Sequence, residues 1–210
     1  NLIMGKVAPS GRLPMTFPMG EGQIPFYYNY KMPSRLMAKS PKLINDIPVR
    51  AYQFSIGETS YWLEYGNKPP YPFGYGLTYT TFEYGAVQLS DTILSISGKP
   101  QSIIASCEIT NTGHCDAVAI PQLYIRDVVG TLTRPLRELK GFQRVNIPAG
   151  ETRTVSFEIS EQDLAYWHLA DGVTLGSDGE YVFSAEKGDF HVWIAPNAAE
   201  GQYIPFTLVE

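Results

Sequence analysis

The sequence predicts a mainly β protein, an antiparallel β-sandwich preceded by a long irregular segment. Three observations lead there. From Phe82 onward, short runs of alternating apolar and polar residues recur at steady intervals, the period-2 pattern of strands with one face buried. Turns such as "NTG" at 111–113, "PAG" at 148–150 and "SDG" at 177–179 punctuate those runs, as hairpin and loop chemistry requires. Residues 1–80, by contrast, hold ten of the sixteen prolines, which remove backbone donors and break periodicity.

Taken in chain order, residues 1–80 offer only three strand candidates: "LPMTFP" at 13–18, "QIPFYYNY" at 23–30 and "VRAYQF" at 49–54. So long an irregular stretch is unusual inside a self-sufficient domain, and its aromatics need a surface to bury against. It reads as a segment that wraps over other protein. Eight runs follow: "FEYGAVQL", "SIIASCEIT", "VAIPQLYIRD", "ELKGFQRVNI", "ETRTVSFEIS", "EYVFSA", "DFHVWIA" and "YIPFTLV". Alternation is clearest where Val155, Phe157 and Ile159 oppose Thr154, Ser156 and Glu158, and Phe190, Val192 and Ile194 repeat it. Seven or eight such strands make a sandwich of residues 81–210. One helical turn is expected at "SEQDLAYW", with Ser160 as cap and Asp163 at the capping-box position.

Between the two textures stands "YPFGYGLTYTTFEY", Tyr71 to Tyr84, with four tyrosines, two phenylalanines, two glycines and a proline. Tyr and Phe supply large contact area with few rotatable bonds. Gly74 and Gly76 let the backbone turn between bulky rings, and Pro72 stiffens the entry. The stretch reads as a hinge, with Phe73, Tyr75 and Tyr79 largely buried between the wrapping segment and the sandwich.

Composition narrows the function. Hydrophobic residues at 44% and charged residues at 18% are ordinary for a globular protein. The net charge of -5 offers no basic field to displace counterions, so nucleic acid is not the expected partner. No run approaches the length of a membrane-spanning helix. The chain opens "NLIMGKVAPSGRLP", without an initiator Met or a signal-peptide pattern, and so reads as the inside of a longer protein. Cys107 shares a strand face with Ile103, Ala105 and Ile109 and is expected in the core. Whether it pairs with Cys115 is left open. No CxxC or paired-His spacing accompanies them, so metal binding is not expected.

No catalytic constellation stands out. Asp46, Glu64, Asp127, Glu138 and Asp163 lie in loops or at strand ends outside any catalytic motif, and each reads as surface charge or a cap. His114, His168 and His191 have no G-x-S-x-G elbow to serve. "GYG" at 74–76 lacks the Lys-Ser/Thr and helix of a phosphate loop. Trp167, Trp193, Tyr124 and Tyr203 are the candidates for a sugar-stacking platform, which would make the chain an independent carbohydrate-binding or adhesion module.

Five motifs, "APSGRLPMTFP", "GQIPFYYNY", "YPFGYGLTYTTFEY", "PQLYIRD" and "TRPLRELKGFQRVNIPAGETRTVSFEIS", stand in the order seen at the C-terminal end of family 3 glycoside hydrolases. The chain resembles the bacterial periplasmic β-glucosidase type over nearly all its length, although "HLADGVTLGSDGEYVFSAEKGD" departs from the family's wording. The resemblance implies a parent with a (β/α)8 barrel, an α/β sandwich and a fibronectin type III-like (immunoglobulin-like) sandwich. Residues 1–80 would then be the end of the α/β domain plus an interdomain wrapping linker, and 81–210 the fibronectin type III-like domain. It implies a retaining enzyme that releases terminal β-D-glucosyl residues with two carboxylates and no metal, nucleotide or other cofactor, periplasmic or secreted. Its nucleophile and acid/base belong to the other two domains, and no residue here matches either. On this reading the piece is inactive alone, its partners are the parent's catalytic domains, and carbohydrate is met only through the parent.

Overall fold

In a computed structural model, the structure describes residues 1–32, 36–37, 40–52, 59–170 and 181–210. The first 80 residues form few regular elements. Two 3-10 turns, Glu21–Gln23 and Ile44–Asp46, accompany two short strands, β1 (Leu36–Met37) and β2 (Thr59–Ser60), paired in parallel. The expected strand at 13–18 contributes a single bridge, Phe17 to Tyr71, because Pro14 and Pro18 interrupt the ladder at both ends. The one expected at 23–30 does not form either. Gln23 ends a 3-10 turn and Pro25 follows just after its C-cap Ile24, leaving no continuous run of donors. Of 49–54, residues 53 and 54 lie outside the described residues, and 49–52 are not in a strand.

The sandwich begins with β3 (Phe82–Tyr84), β4 (Gln88–Leu89), β5 (Ile93–Ser95) and β6 (Ser102–Asn111). It continues through β7 (Ala117–Ala119), β8 (Gln122–Asp127), β9 (Glu138–Phe142), β10 (Val145–Ile147) and β11 (Thr152–Ser160). After helix α1 (Glu161–Leu164) come β12 (Tyr166–Leu169), β13 (Tyr181–Ser184), β14 (Gly188–Ala195) and β15 (Ile204–Val209). Several expected strands split. Pro121 separates β7 from β8, since it has no N–H for a ladder. β5 was not read from the sequence, and it joins β15 in parallel, while the other sandwich pairings are antiparallel. The expected helical turn forms as Glu161–Leu164, and the chain then turns into β12. Its start is as expected: the Ser160 N–H donates to Asp163 Oδ2 at 2.8 Å.

Two sheets face each other. One orders β11-β6-β3, with β4 also on β6; the other orders β5-β15-β14-β8-β9. The β11–β6 register places Val155 opposite Cys107, Phe157 opposite Ala105 and Ile159 opposite Ile103, and all six point into the core. The facing sheet answers with Leu123, Ile125, Phe190, Val192, Ile194, Phe206 and Leu208, the rings of Phe190 and Phe206 stacked at 5.4 Å. Both cysteines are free; the Cys107 thiol donates to the Gly85 carbonyl at 3.2 Å. Each fully buried side chain of this size contributes about 1.5–3 kcal/mol, set against the entropy of ordering the chain.

Phe190, fully enclosed between the sheets, sets a first test. Phe190→Ala is expected to lower the unfolding free energy by about 3–5 kcal/mol through lost transfer energy and a cavity. Cys115→Ser, in a half-exposed turn, should change it by less than about 0.5 kcal/mol. Urea denaturation followed by circular dichroism measures both.

Candidate functional site: an aromatic junction on the outer face

The five-stranded sheet is buried on both faces at its centre. Opposite the core, Tyr124 on β8 and Trp193 and Ala195 on β14 form a second apolar cluster. An apolar outer face must be covered by something, and Tyr28 and Phe73 of the first 80 residues do so. Their rings stack at 4.0 Å and 16°, and the Tyr28 hydroxyl accepts the Leu139 N–H at 3.4 Å. Arg137 lies over Trp193 at 4.4 Å and donates to the Glu200 carbonyl at 2.6 Å.

Residues 71–76 are held on three sides. The Leu13 N–H donates to the Tyr75 carbonyl at 2.8 Å, Gly74 N–H to Leu13 at 2.9 Å, and Phe17 N–H to Tyr71 at 2.9 Å. From the loop after β14, the Ala198 N–H donates to the Phe73 carbonyl at 3.0 Å. From β8, the Gln122 amide donates to the carbonyls of Gly74 at 3.0 Å and Pro196 at 2.6 Å. Its oxygen accepts the Tyr124 hydroxyl at 2.5 Å. Burial pushes the Tyr124 phenol well above its ordinary pKa, which keeps that proton in place. Gly74 sits at φ +79, where a Cβ would run into the Gln122 carboxamide. Gly76 has no left-handed φ; its role is close approach, since a Cβ there would strike the Gly11 carbonyl.

The expected burial of the hinge is met in part. Phe73 and Tyr75 are half-buried, but Tyr79 is 51% exposed. Backbone alternation explains the correction. Thr78 and Thr80 turn inward, with the Thr80 hydroxyl donating to Asn111 Oδ1 at 2.5 Å. Tyr79 is therefore sent outward, its hydroxyl on the Leu2 carbonyl at 2.9 Å. The four platform candidates are also divided. Tyr124 and Trp193 are interior, Tyr203 stacks on His191 at 3.8 Å, and Trp167 is exposed beside Phe183 at 5.5 Å on the β12–β13 hairpin.

The candidate carboxylates are scattered. Asp46 accepts the Leu43 N–H in a 3-10 turn, Asp163 caps α1, and Glu64 is exposed. Only Asp127 and Glu138 come together, through Arg134: its Nη2 is 3.1 Å from Glu138 and its Nε 4.0 Å from Asp127. Burial raises the Asp127 carboxyl above its ordinary pKa. Of the histidines, His114 is exposed in its turn, while His191 is lowered by burial and by nearby Arg126.

The residue that sequence reasoning missed is Glu186, which has no motif around it. It accepts hydrogen bonds from the Thr131 N–H at 2.8 Å and from the hydroxyls of Thr131 and Tyr166. His168 lies close by, with Nδ1 at 3.7 Å from Glu186 and Nε2 at 2.9 Å from Ser184 Oγ. This looks like a nucleophile relay but is not built as one. The imidazole is buried, and its Nδ1 is 2.9 Å from the Leu169 carbonyl, nearer than Glu186. The group instead fastens the loop after β8 to the β12–β13 hairpin. Among the described residues, no cluster of His, Cys, Asp or Glu is arranged to hold a metal.

Comparison with known proteins fits this geometry. Residues 119–198 match the fibronectin type III-like domain, so the protein is of the fibronectin type III-like β-sandwich class. Along the whole chain, it is 34% identical over 209 residues to the periplasmic beta-glucosidase of Salmonella typhimurium, covering 100% of this chain and 24% of that protein. It is 36% identical over 164 residues to a beta-xylosidase of Formosa agariphila, covering 78% of this chain and 20% of the relative. The solved beta-glucosidase of Listeria innocua in complex with isofagomine superposes with a TM-score of 0.78 at 28% identity, over 99% of this chain and 25% of that one. The chain belongs with the C-terminal parts of the family 3 glycoside hydrolases. It spans roughly a quarter or less of the length of these relatives.

Two outcomes follow from the junction and the Glu186 network. Gly74→Ala should cost about 2 kcal/mol or more in stability, from left-handed strain plus displacement of the Gln122 amide; thermal denaturation reads it. Burial alone would raise the Glu186 carboxyl, but the hydrogen bonds from Thr131 and Tyr166 and the charge of His168 outweigh it, leaving the folded pKa below the ordinary carboxylate value. A depressed folded pKa stabilises above the unfolded pKa and loses that contribution as pH falls through the folded value. Urea midpoints should therefore drop below about pH 4.3, and Glu186→Gln should be less stable at pH 7 with a shallower acid slope.

Proposed function

We propose that the chain is the non-catalytic C-terminal portion of a retaining β-glucosidase, acting to stabilise the parent's catalytic domains. On this reading residues 1–80 end the α/β domain and wrap between domains, 81–210 are the fibronectin type III-like domain, and the parent is periplasmic or secreted. Carbohydrate reaches the catalytic carboxylates in domains outside this chain. One observation carries the reading: the two-sidedness of the first 80 residues. Their inner side is bonded to the sandwich through Tyr28, Phe73 and Gly74. Elsewhere they leave Ile3, Met4, Met15, Phe17, Tyr71 and Leu77 exposed, and exposed apolar side chains gathered in one region are typical of a surface that another protein part covers. A second reading, an independent carbohydrate-binding or adhesion module, draws on the exposed Trp167, Tyr181 and Phe183 of the β12–β13 hairpin.

The purified chain is expected not to hydrolyse 4-nitrophenyl β-D-glucoside; turnover that a single Asp or Glu substitution in this chain abolishes would overturn the proposal. In the full-length parent, Phe73→Ala removes a half-buried ring and should cost about 1–2 kcal/mol, lowering Tm while kcat well below Tm stays close to wild type. A collapsed kcat with unchanged Tm would place Phe73 in the chemistry instead.

A further inference from the structure

Residues 128–137, between β8 and β9, tie three parts of the molecule together. At the near end, the Val128 N–H donates to the Asp189 carbonyl at 3.0 Å, and the Thr131 N–H to Glu186 at 2.8 Å, beside the β12–β13 hairpin. At the far end, the Leu136 N–H donates to the Tyr30 carbonyl at 3.0 Å, and Pro135 bridges to Lys31. Arg137 completes the hold, on the Trp193 ring and the Glu200 carbonyl. The loop is thus a strap from the hairpin to the wrapping segment. Under its middle lies Asp127, whose side chain is only 6% exposed. Gly130 closes over it: a Cβ there would lie 3.0 Å from Asp127 Oδ2 and 2.8 Å from the Tyr166 hydroxyl oxygen. Asp127 Oδ2 and Arg134 Nε are both buried without a hydrogen-bond partner. At 4.0 Å they stand too far apart to satisfy each other.

The groups around Asp127 decide which of its forms the closed loop prefers. Attraction to the charged form comes from Arg134, from Arg126 beside it on β8 and from the Val129 N–H, which the carboxylate accepts. Repulsion comes from Glu186, which has His168 3.7 Å behind it, and the Tyr166 hydroxyl is committed to Glu186. Arg134 is itself engaged elsewhere, 3.1 Å from Glu138, whose other oxygen is 3.2 Å from Lys140. Across the ladder, β14 offers the apolar Phe190. A carboxylate enclosed with one oxygen unpaired loses more by leaving water than a shared guanidinium 4.0 Å away returns. Burial therefore wins, and the folded carboxyl sits above its ordinary pKa. Opening the strap returns Asp127 to water and to a pKa of about 3.9. We propose that residues 128–137 are an acid-tightened strap, closed most firmly when Asp127 carries its proton, which sets how tightly Tyr30 and Lys31 are held to the sandwich. The sign follows from linkage: a raised closed-state value favours closure at low pH, and that contribution is lost as pH rises through it. Glu186 has the opposite sign, its contribution being lost as pH falls. The strap is therefore tightest between the two transitions, in mild acid. It needs only residues of this chain, whatever the parent hydrolyses.

Amide hydrogen exchange in the full-length parent, read peptide by peptide and corrected for the intrinsic pH dependence of exchange, tests the strap. Protection of the peptide carrying Thr131 and Leu136 should fall by about threefold or more as pH rises from about 4.5 to about 7. A peptide within β6, in the opposite sheet, is the control and should hold its protection. Asp127→Asn is neutral at every pH and keeps an acceptor for the Val129 N–H. It should retain the strong low-pH protection up to about pH 7 and raise Tm there. Arg134→Met removes attraction to the charged form and should move the wild-type transition to higher pH. A flat wild-type profile overturns the proposal, as does a fall that Asp127→Asn shares or that β6 follows in parallel. So does weaker protection or a lower Tm in Asp127→Asn at about pH 7, because the charged pair with Arg134 would then be what holds the loop. A transition that Arg134→Met leaves in place or moves downward removes Asp127 as the titrating group and overturns it too. Hydrolysis of 4-nitrophenyl β-D-glucoside by the same preparations examines the proposed function separately; its absence would leave the strap standing.

Discussion

The Gln122 side chain is the tie on which the arrangement of the two regions depends. It sits on β8, whose Leu123 and Ile125 belong to the sandwich core, so its position is set by the core. Its amide reaches the Gly74 carbonyl in one direction and the Pro196 carbonyl in another, while its oxygen holds Tyr124. A buried amide is stabilising only when its donors and acceptor are paired, and here each has a partner. That requirement fixes the entry of the chain into the sandwich and brings Phe73 over the outer face. Glycine at 74 is then obligatory on two counts, the left-handed φ and the space the amide occupies.

The constraint behind this tie is a sheet that is apolar on both sides. β14 alternates Phe190, Val192 and Ile194 toward the core with Trp193 and Ala195 away from it. Such a strand is exposed to water on one face unless another element covers it. Tyr28 and Phe73 cover part of that face, and they bring with them a segment whose other side is itself apolar and open. Burial is thereby passed outward from one layer to the next, from the core through Trp193 to Tyr28 and Phe73.

The Glu186 network does for the opposite end of the sandwich what Gln122 does at the junction. The loop after β8 has little regular structure and carries Thr131 and Arg134, while the β12–β13 hairpin has only two strands. A two-stranded ribbon is marginal by itself. Glu186, Tyr166 and His168 join the two, and Arg134 lies over the Tyr166 ring at 3.9 Å while pairing with Glu138. Charged groups here hold loops in place, consistent with their partly buried positions and with the partners of Glu186 and Glu138.

The sequence by itself determined the β-sandwich, the core face of β11 and β14, the inward Cys107 and the Ser160–Asp163 cap. Each of these follows from contacts a few residues apart or from a strict period of two, and neither depends on what lies across the molecule. The five ordered motifs likewise carried the family resemblance. Tertiary structure alone decided the rest. Nothing local marks Gln122 or Glu186, because their partners lie 48 and 55 residues away in sequence at Gly74 and Thr131. The split of "VAIPQLYIRD", the parallel pairing of β5 and the burial of Tyr124 and Trp193 on the second face depend on which strands become neighbours. Tyr79 was misjudged for the same reason: an aromatic's composition announces that it will seek cover, while the alternation of the backbone between Thr78 and Thr80 decides which way it points.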